Sequence, residues 1–517
     1  MMIATGRQMK NIDKTATEKY GISGIVLMES AGIQVVNEAV AMLGGDVSGK
    51  TVWVFCGCGN NGGDGFVAAR RLNDMNCRVR VLMTSSPSGL TGDARQNYDI
   101  AQRLGIDTST VMSHKDIMAL KIRLPLADLV IDAIFGTGLG GEIRGEIADI
   151  IHLINDSGRL VLSVDIPSGM NADTGIIQGI CVEADRTVTF ALPKPGLCLN
   201  AGDIPVGELI VAAIGIPQCA IDDNNLNHYL ITQKSVGKCF PVRSKKTHKG
   251  NYGHLLIVAG SRGYAGAACL VAAAAARCGN GLVTLAVPEN LLAELRNCPA
   301  ETMLMTLPGE DGKLQANAVD RIISDMDRFT AVAIGPGIGT GDNIKRMVEA
   351  LIRKATVQLV LDADALNAIA DHPEILLEAA MPPVITPHPG EFSRLTGFHT
   401  DEVNSLRIDI VREYADKWNT VILLKGSKTV IGTPDGRVFI NPTGNPGMAT
   451  GGSGDVLTGM VGSFCALGLG SIESACAGAY LHGLAGDLAA DGVGEISMKA
   501  GDIAAMIPKA FCQTLGE

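Results

Sequence analysis

The sequence predicts an α/β protein made of two parallel-sheet domains. Apolar runs of strand length alternate along the chain with segments of helical length and periodicity, which is typical of a parallel sheet whose crossovers are helices. Glycine-rich or polar motifs directly follow many of the apolar runs. The 517 residues exceed a typical domain of about 150 residues, and one polar stretch interrupts the alternation near the middle. We therefore expect two domains.

Composition excludes several function classes. The net charge is −11 and no long basic tract occurs, so nucleic-acid binding is not expected. The N-terminus lacks the apolar core of a signal peptide, and no run of about 18 uncharged apolar residues follows, so we expect a cytoplasmic protein without a membrane segment. The 13 cysteines are scattered singly and indicate reduced thiols. Cys56 and Cys58 have no Cys or His cluster near them, so no metal site is predicted there.

The first predicted elements are a helix over residues 26–43 and a buried strand at Thr51–Cys56. A glycine loop, G-C-G-N-N-G-G-D-G-F, follows the strand, and the next helix is expected over residues 67–75. This order places the loop at the carboxyl end of a strand, where open parallel sheets bind ligands. Asn60, Asn61 and Asp64 interrupt the glycines, although plain phosphate binding does not require them.

Two later strands also carry polar residues at their ends. Asp132 lies inside an otherwise apolar strand, and Asp165 ends the next strand, shortly before Ser168. With Asn61 these residues offer oxygen ligands without His or Cys, so a hard cation such as K⁺, Na⁺ or Mg²⁺ is favoured over zinc. For each residue alone, helix capping or an Asx turn is the alternative. Two further strands follow, and Lys194 between them is either a partner for a ligand phosphate or a solvated loop lysine.

A family resemblance rests on motifs that occur in one order. They are L-M-E-S-A-G (27–32), N-N-G-G-D-G (60–65), G-T-G-L (136–139), D-I-P-S-G (165–169) and K-P-G (194–196). Together they resemble the NAD(P)HX epimerase family, also called the YjeF N-terminal domain, over roughly residues 1–220. The family usually has Pro between the two glycines before N-N-G-G-D-G. Cys58 takes that place here and changes loop stiffness more than chemistry.

The resemblance implies a Rossmann-like parallel-sheet domain that interconverts the two epimers of hydrated NAD(P)H. It implies Asp165 as the acid/base residue and a potassium ion bound by Asn61, Asp132 and Ser168. The hydrated dinucleotide would be held by Asn60, Asn61, Gly62, Gly63, Asp64, Gly136, Thr137, Gly138, Leu139, Gly140, Gly141, Glu142 and Asp165.

The middle of the chain predicts a domain boundary. Residues 221–250 are polar, locally basic and broken by Pro241, which indicates a linker near residues 222–235. We therefore expect domains over residues 1–222 and 236–512.

The alternation of strands and helices resumes after the linker. Apolar runs end in S-R-G-Y-A-G, G-P-G-I-G-T-G, D-A-D-A-L-N, P-H-P-G-E and K-G-S-K-T, and a hairpin is expected around residues 433–436. His388 lies between two prolines, which restrict its backbone. With Glu391 beside it, His388 is either a ligand contact or a structural residue.

The most distinctive stretch of this half is N-P-G-M-A-T-G-G-S-G-D, residues 445–455. Gly451, Gly452 and Gly454 allow backbone N–H groups to approach a ligand, and the apolar residues that follow recur at helical spacing. A glycine loop at a helix N-terminus attracts anions. Asp455 beside bound phosphate indicates proton transfer or metal binding, although an acid favoured by the helix dipole is the simpler alternative.

These strand-end motifs together resemble the ribokinase-like superfamily. Within it, K-G-N-Y-G-H (249–254), T-P-H-P-G-E (386–391), L-K-G-S-K-T and residues 445–455 resemble the NAD(P)HX dehydratase branch, the YjeF C-terminal domain, over roughly residues 236–512. The resemblance implies that ADP, with Mg²⁺, contacts Lys425, Gly426, Ser427, Lys428, Thr429 and Gly454. It implies that the hydrate contacts Ala265, Gly337, His388 and Asp455, with Asp455 catalytic.

The two resemblances together imply a bifunctional repair enzyme acting on NADHX and NADPHX, with small molecules as its partners and a homo-oligomeric assembly. Two alternatives stay open at this point. One is a small-molecule kinase of the ribokinase-like superfamily with an accessory dinucleotide-binding domain. The other is a first half that does not catalyse and serves as a binding or assembly module for the second.

Overall fold

The computed structural model describes residues 1–516, and the chain divides into two compact units. One unit comprises Met2–His228, and the other comprises the chain from Tyr229 onward together with Met1. Each unit contains a largely parallel sheet with helices packed on it, so the predicted α/β class is confirmed.

The first unit is a seven-stranded parallel sheet in the order β4-β3-β2-β5-β6-β7-β8. The strands of this sheet are β2 (Thr51–Cys56), β3 (Arg78–Met83), β4 (Asp107–Thr110), β5 (Leu129–Ala133), β6 (Leu160–Val164), β7 (Arg186–Phe190) and β8 (Glu208–Ala212). A short N-terminal strand, β1 (Met2–Ile3), lies outside this sheet. Its helices are α1 (Gly6–Glu18), α2 (Gly24–Met42), α3 (Asn60–Asp74), α4 (Gly92–Arg103), α5 (His114–Lys121), α6 (Glu146–Asn155), α7 (Pro195–Asn200) and α8 (Gln218–Asp222).

Both faces of this sheet are buried. Along β2, Val52 and Val54 pack into one apolar cluster while Trp53 and Phe55 pack into another. This alternation explains why the strand has no polar face, as expected for a parallel sheet covered by helices on both sides. Among the described helices only α2 has the length and apolar composition of a membrane span, and its residues Leu27, Val35 and Ala39 lie in the core, as in a core helix.

The second unit has strands β9 (His228–Leu230), β10 (His254–Val258), β11 (Leu282–Pro288), β12 (Met303–Leu307), β13 (Gly309–Glu310), β14 (Lys313–Leu314), β15 (Ala331–Ile334), β16 (Gln358–Leu361), β17 (Val384–Ile385), β18 (Val421–Leu424), β19 (Val430–Gly432) and β20 (Val438–Ile440). Its helices are α9 (Gln233–Gly237), α10 (Ala265–Arg277), α11 (Ala318–Ser324), α12 (Asp342–Lys354), α13 (Asp364–Ala368), α14 (Pro389–Thr396), α15 (Thr400–Ser405), α16 (Arg407–Lys417), α17 (Ser453–Ala466), α18 (Ser471–Val493) and α19 (Ala500–Leu515).

The main sheet of this unit runs β20-β19-β18-β17-β16-β15-β10-β11-β12. Strands β18 to β12 in that order are parallel, while β19 pairs antiparallel with both β18 and β20. The hairpin expected around residues 433–436 is therefore confirmed. The segment expected as a linker, residues 222–235, contains β9 and the start of α9.

Candidate active sites

In the first unit, the polar motifs that follow β2, β5 and β6 meet at one edge of the sheet. These strands are neighbours, and the chain order reverses between β2 and β5. In an open parallel sheet such a reversal opens a crevice at the carboxyl ends of the strands, where ligands bind. The three motifs therefore occupy the position that this topology reserves for a ligand.

The N-N-G-G-D-G segment is the first turn of a helix. We expected a loop with a helix starting at residue 67, and this expectation was wrong, because α3 begins at Asn60. A Cβ on Gly62 would lie 2.1 Å from the carbonyl oxygen of Gly57, so only glycine lets the helix start this close to the strand. Propensity disfavours a helix start with so many glycines, and close packing on the sheet overrides it.

Asn61, Asp132 and Ser168 are buried residues of one cluster, in which Phe135 contacts Ser168 and the next residue, Gly136, approaches Asn61. Asp132 is fully buried, and its carboxylate accepts hydrogen bonds from the Ser168 hydroxyl at 2.6 Å, the Ser168 N–H at 2.8 Å and the Ser163 hydroxyl at 2.9 Å. Ser168 also accepts a bond from the Phe135 N–H at 2.9 Å. Asn61 is 8% exposed, and a Cβ on Gly136 would lie 3.4 Å from its Oδ1 atom, so the G-T-G-L segment passes over the amide.

The cluster has the chemistry that a cation needs. Both polar atoms of the Asn61 amide are buried without a hydrogen-bond partner among the described residues, which is costly unless a ligand or ion satisfies them. Burial raises the pKa of Asp132, and hydrogen bonds from Ser168 only partly offset this. A cation beside this carboxylate would compensate the buried negative charge. The residues fit a hard cation bound by oxygen atoms.

Asp165 is held by a buried lysine. The Lys194 ammonium, whose side chain is 2% exposed, donates to Asp165 Oδ1 at 2.5 Å, and the Thr189 hydroxyl donates to the same oxygen at 2.9 Å. Lys194 is therefore neither a solvated loop lysine nor free to take a phosphate, the two alternatives that the sequence left open. Both of these hydrogen bonds go to Oδ1 and leave Asp165 Oδ2 outside them.

The backbone of Asp165 is strained. Its φ is 63°, a left-handed value that few residues other than glycine adopt and that is frequent at functional sites. Burial raises the pKa of the neighbouring Asp64 carboxyl well above its usual value, and the nearby charges of Asp165 and Asp13 add to this increase. Sequence reasoning did not identify Asp13, Thr189 or the partner of Lys194, since no local motif signals these contacts.

The rest of the predicted dinucleotide-binding segment is more open. Thr137 and Leu139 are half-buried, whereas Gly138, Gly140, Gly141 and Glu142 are exposed. A Cβ on Gly6, the first residue of α1, would lie 3.2 Å from Thr137. Ligand contact by these exposed residues stays a prediction. Of residues 136–142, Gly136 is the one whose added Cβ would approach the Asn61 side chain.

In the second unit the predicted site residues follow four of five adjacent parallel strands. Ala265 comes after β10, Gly337 after β15, His388 after β17 and Lys425 after β18. Between them, Asp362 directly follows β16. The carboxyl ends of parallel strands lie at the same edge of the sheet, so tertiary structure places these motifs along one crevice.

Helix α17 contributes its N-terminus to this crevice. Gly452 precedes the helix with a left-handed φ of 91°, and Gly454 and Asp455 are its second and third residues. A Cβ on Gly454 would lie 3.3 Å from the Lys425 ammonium. Glycine therefore lets the half-buried lysine approach the backbone beside Asp455 at the start of the helix.

A charged network surrounds Asp455. The Lys425 ammonium donates to Asp362 Oδ1 at 2.8 Å and lies 3.8 Å from Glu391. The Thr458 hydroxyl donates to Asp362 Oδ2 at 2.6 Å. Burial lowers the pKa of Lys425, but Asp362 and Glu391 outweigh this and the net direction is upward. Lys425 is thus a persistent cation inside the site.

The pKa of Asp455 is raised to about 6, mainly by burial and then by the negative charge of Asp362, while Lys425 opposes the increase. A carboxylate of this basicity is well suited to accept a proton near neutral pH. Sequence reasoning cited the motifs of Asp362 and Glu391 but assigned neither residue a role, and it missed Thr458. For Asp362 a signal was available in the sequence, because this acidic residue directly follows a buried strand.

His388 caps helix α14. Its Nδ1 atom accepts the N–H groups of Gly390 at 3.0 Å and Glu391 at 3.3 Å, so the neutral ring carries its proton on Nε2, which lies 3.3 Å from Glu391 Oε1. Burial lowers the pKa of His388, and the positive charge of Lys425 lowers it further. Half of the side chain is exposed, so a neutral donor remains accessible at the crevice.

The other predicted contacts lie on the same crevice. Gly337 has a φ of 64°, and a Cβ there would lie 2.8 Å from Tyr264, the residue before Ala265. The Ser261 hydroxyl fixes this loop by donating to the Gly337 carbonyl at 2.7 Å. In the loop after β18, Lys428 donates to the Pro442 carbonyl at 3.3 Å.

Comparison with known proteins assigns a family to each unit. The family described as YjeF-related protein N-terminus matches residues 24–196, and the family described as NAD(P)H-hydrate dehydratase matches residues 255–509. A bifunctional NAD(P)H-hydrate repair enzyme (Nnr) from Moorella thermoacetica is 43% identical over 509 residues, 98% of this chain and 96% of that protein. The corresponding enzyme from Thermofilum pendens is 40% identical over 512 residues, 99% and 96% of the two chains.

Among solved structures, a ribokinase-like superfamily protein from Enterococcus faecalis is 23% identical and has a TM-score of 0.50, covering 56% of this chain and 98% of its own. This likeness concerns the fold and confirms the predicted ribokinase-like architecture. The family matches and the near full-length relatives account for both units. The chain therefore belongs to the bifunctional NAD(P)H-hydrate repair enzymes, which join an epimerase and a dehydratase in one polypeptide.

Proposed function

We propose that the second unit converts S-NAD(P)HX to NAD(P)H by transferring a phosphoryl group from ADP, giving AMP and phosphate, and that the first unit supplies the S epimer from the R epimer. The observation that carries this proposal is the position of Asp455. Asp455 has a raised pKa and lies at a helix N-terminus, in the same crevice as the half-buried Lys425.

The proposal follows from the chemistry of the substrate. Water has been added to the double bond between C5 and C6 of the nicotinamide ring. Repair therefore requires the C6 hydroxyl to leave, and hydroxide is a poor leaving group. Attack of the C6 oxygen on the β-phosphorus of ADP forms a C6–O–P bond and breaks the bond to AMP. Phosphate then leaves C6 while C5 loses a proton, which restores the double bond of NAD(P)H.

Each part of the site suits one element of this transfer. Asp455 accepts the proton of the C6 hydroxyl as its oxygen attacks. The N–H groups of residues 451–454 and the Lys425 ammonium stabilise negative charge on the transferring phosphoryl group. ADP is bound by Lys425, Gly426, Ser427, Lys428, Thr429 and Gly454, with Mg²⁺ entering as its complex. Ala265, Gly337 and His388 contact the hydrate.

In the first unit we propose that Asp165 is the acid/base residue of epimerisation. Its Oδ1 is held by Lys194 and Thr189, so Oδ2 is the oxygen that exchanges a proton with the substrate. The hydrated dinucleotide lies along residues 60–64 and 136–142. A potassium ion held by Asn61, Asp132 and Ser168 would supply positive charge beside Asp132. It would also fix the position of the segment that contains Asn61 relative to the strand ends that carry Asp132 and Ser168.

We also propose domain limits of residues 1–222 and 236–512, a cytoplasmic location and a homo-oligomeric assembly. The 13 cysteines are scattered singly along the sequence, which supports a reducing compartment.

The function is tested by adding the full-length protein to a mixture of NADHX epimers with Mg²⁺ and either ADP or ATP. We expect ADP to restore the absorbance of the reduced nicotinamide ring completely, because epimerisation feeds the R epimer into dehydration. Recovery of only the S share would show that the first unit does not epimerise. A stable phosphorylated product without NADH would favour the small-molecule kinase, and a better yield with ATP would reassign the donor.

The potassium site predicts a change in thermal stability. The protein is expected to unfold at a higher temperature in potassium chloride than in tetramethylammonium chloride of equal ionic strength, because an ion that binds only the native state stabilises it. Asn61→Leu removes the amide ligand and should abolish the difference, which is measured by calorimetry. Asn97→Leu is the matched control, since Asn97 is also a buried asparagine of this unit with an unpaired Oδ1. A potassium effect that survives Asn61→Leu would disprove the assignment.

A further inference from the structure

A buried arginine lies behind the loop to which we assign nucleotide binding. Arg407 is the first residue of helix α16 and is 8% exposed. Its Nη2 atom donates to the carbonyl oxygens of Lys425 at 3.1 Å and Leu424 at 3.4 Å. Leu424 ends strand β18 and Lys425 begins the loop, so one guanidinium group binds the backbone at the point where strand becomes loop.

The guanidinium group also explains a glycine of the K-G-S-K-T motif. A Cβ on Gly426 would lie 2.3 Å from Nη2 and 2.7 Å from Nη1 of Arg407. Any larger residue at this position would displace the arginine or shift the loop. Gly426 and Arg407 are therefore matched, although 19 positions separate them in the sequence.

Arg407 carries a positive charge that no carboxylate neutralises. Within the described residues no Asp or Glu lies within ion-pair distance of it, and its Nε atom has no partner. Burial alone lowers its pKa to about 10, so the side chain is still charged at neutral pH. Buried arginines are usually paired, because an isolated buried charge is costly.

We propose that Arg407 is a positioning residue of the nucleotide site. By binding the Leu424 and Lys425 carbonyls it fixes the start of the loop, and thereby the direction of the Lys425 side chain toward the phosphates. Its unneutralised charge adds to the positive potential that attracts the anionic nucleotide. This inference rests on the proposed assignment of residues 425–429 to nucleotide binding.

The test compares Arg407→Met and Arg407→Lys in the full-length protein. ADP is titrated at saturating S-NADHX, and S-NADHX is titrated at saturating ADP, with NADH formation as the signal. We expect Arg407→Met to raise the KM for ADP about tenfold or more, as for the loss of hydrogen bonds from a charged donor, with the KM for the hydrate nearly unchanged. Arg407→Lys keeps the charge without the two-carbonyl geometry and should recover part of the loss.

Controls separate this role from simple structural support. Arg412 lies on the same helix, is 39% exposed and pairs with Asp409, so Arg412→Met should leave both KM values unchanged. If both KM values rise together in the Arg407 variants, or if the KM for ADP does not change, the proposal is wrong. If Arg407→Met does not fold, the test rests on Arg407→Lys alone. An unchanged KM for ADP in Arg407→Lys overturns the proposal, and a rise in the KM for ADP without a rise in the KM for the hydrate supports it.

One further variant tests the assumption beneath the proposal. Lys428→Met removes an ammonium group of the loop itself and should also raise the KM for ADP. If Lys428→Met has this effect and Arg407→Met does not, only the role of Arg407 is overturned. If neither variant changes the KM for ADP, the assignment of the loop to the nucleotide fails and the Arg407 proposal fails with it.

Discussion

Asp455→Asn is expected to lower the rate of dehydration by about 10² or more, while epimerisation in the first unit continues. The amide keeps the size of the side chain but cannot accept the proton of the C6 hydroxyl. The measurement is NADH formation from S-NADHX at saturating ADP, together with epimer exchange followed by NMR or chromatography. A variant that retains dehydration would remove Asp455 from the mechanism.

Asp502→Asn is a matched control for this prediction. Asp502 is the third residue of helix α19, as Asp455 is the third residue of α17, and it follows a glycine in the same way. Both acids interact favourably with a helix N-terminus, but only Asp455 lies in the crevice. If both variants lost the same fraction of the dehydration rate, Asp455 would be a residue that stabilises its helix and not the catalytic base.

The pH dependence adds a second readout to the same variant. Because the pKa of Asp455 is about 6 in the folded protein, dehydration should increase as pH rises through this value and the base ionises. Because this pKa is above the usual value, the folded state binds the proton of Asp455 more tightly than the unfolded state does. The contribution of Asp455 to the free energy of unfolding therefore falls as pH rises from about 4 to about 6. At pH 8 Asp455→Asn should therefore be at least as stable as the unchanged protein, which thermal unfolding can check.

Asp165→Asn is expected to slow epimerisation by about 10² or more and to leave dehydration of the S epimer intact. Asparagine tolerates the left-handed backbone at this position, so the substitution removes the base with little change of shape. In a mixture of epimers, NADH recovery should stop near the S share. If epimer exchange continued at its normal rate, the first unit would be a binding or assembly module, or would use another base.

Two controls accompany Asp165→Asn. The substitution leaves the Lys194 ammonium buried without its partner, which is destabilising. The double variant Asp165→Asn with Lys194→Met removes both charges and should recover stability without recovering epimerisation. Asp128→Asn breaks a Lys50–Asp128 pair that lies 3.4 Å apart beside the start of β2 and β5, at the opposite end of the same sheet. It should leave epimer exchange unchanged.

The fold class and many of the strands and helices were predicted from the sequence, but α1, β4 and α5 were not. Buried parallel strands are continuous apolar runs, so β2 was predicted with its observed bounds, Thr51–Cys56. Family resemblance then indicated the repair activity, which the relatives confirm. The individual site residues stay predictions that the structure makes testable, because it joins Ser168 to Asp132 and places Lys425 beside Gly454.

By itself, therefore, the sequence determined the α/β class, the alternation of strands with helices and the motifs at the strand ends, because apolar periodicity and glycine signals act over a few residues. Only the tertiary structure decided which of these motifs touch. Lys194 is 29 positions from Asp165, and Lys425 is 63 positions from Asp362. Such pairs form because packing brings different strand ends together, and burial then forces each charge to find a partner. The same packing starts α3 at Asn60 against local helix propensity.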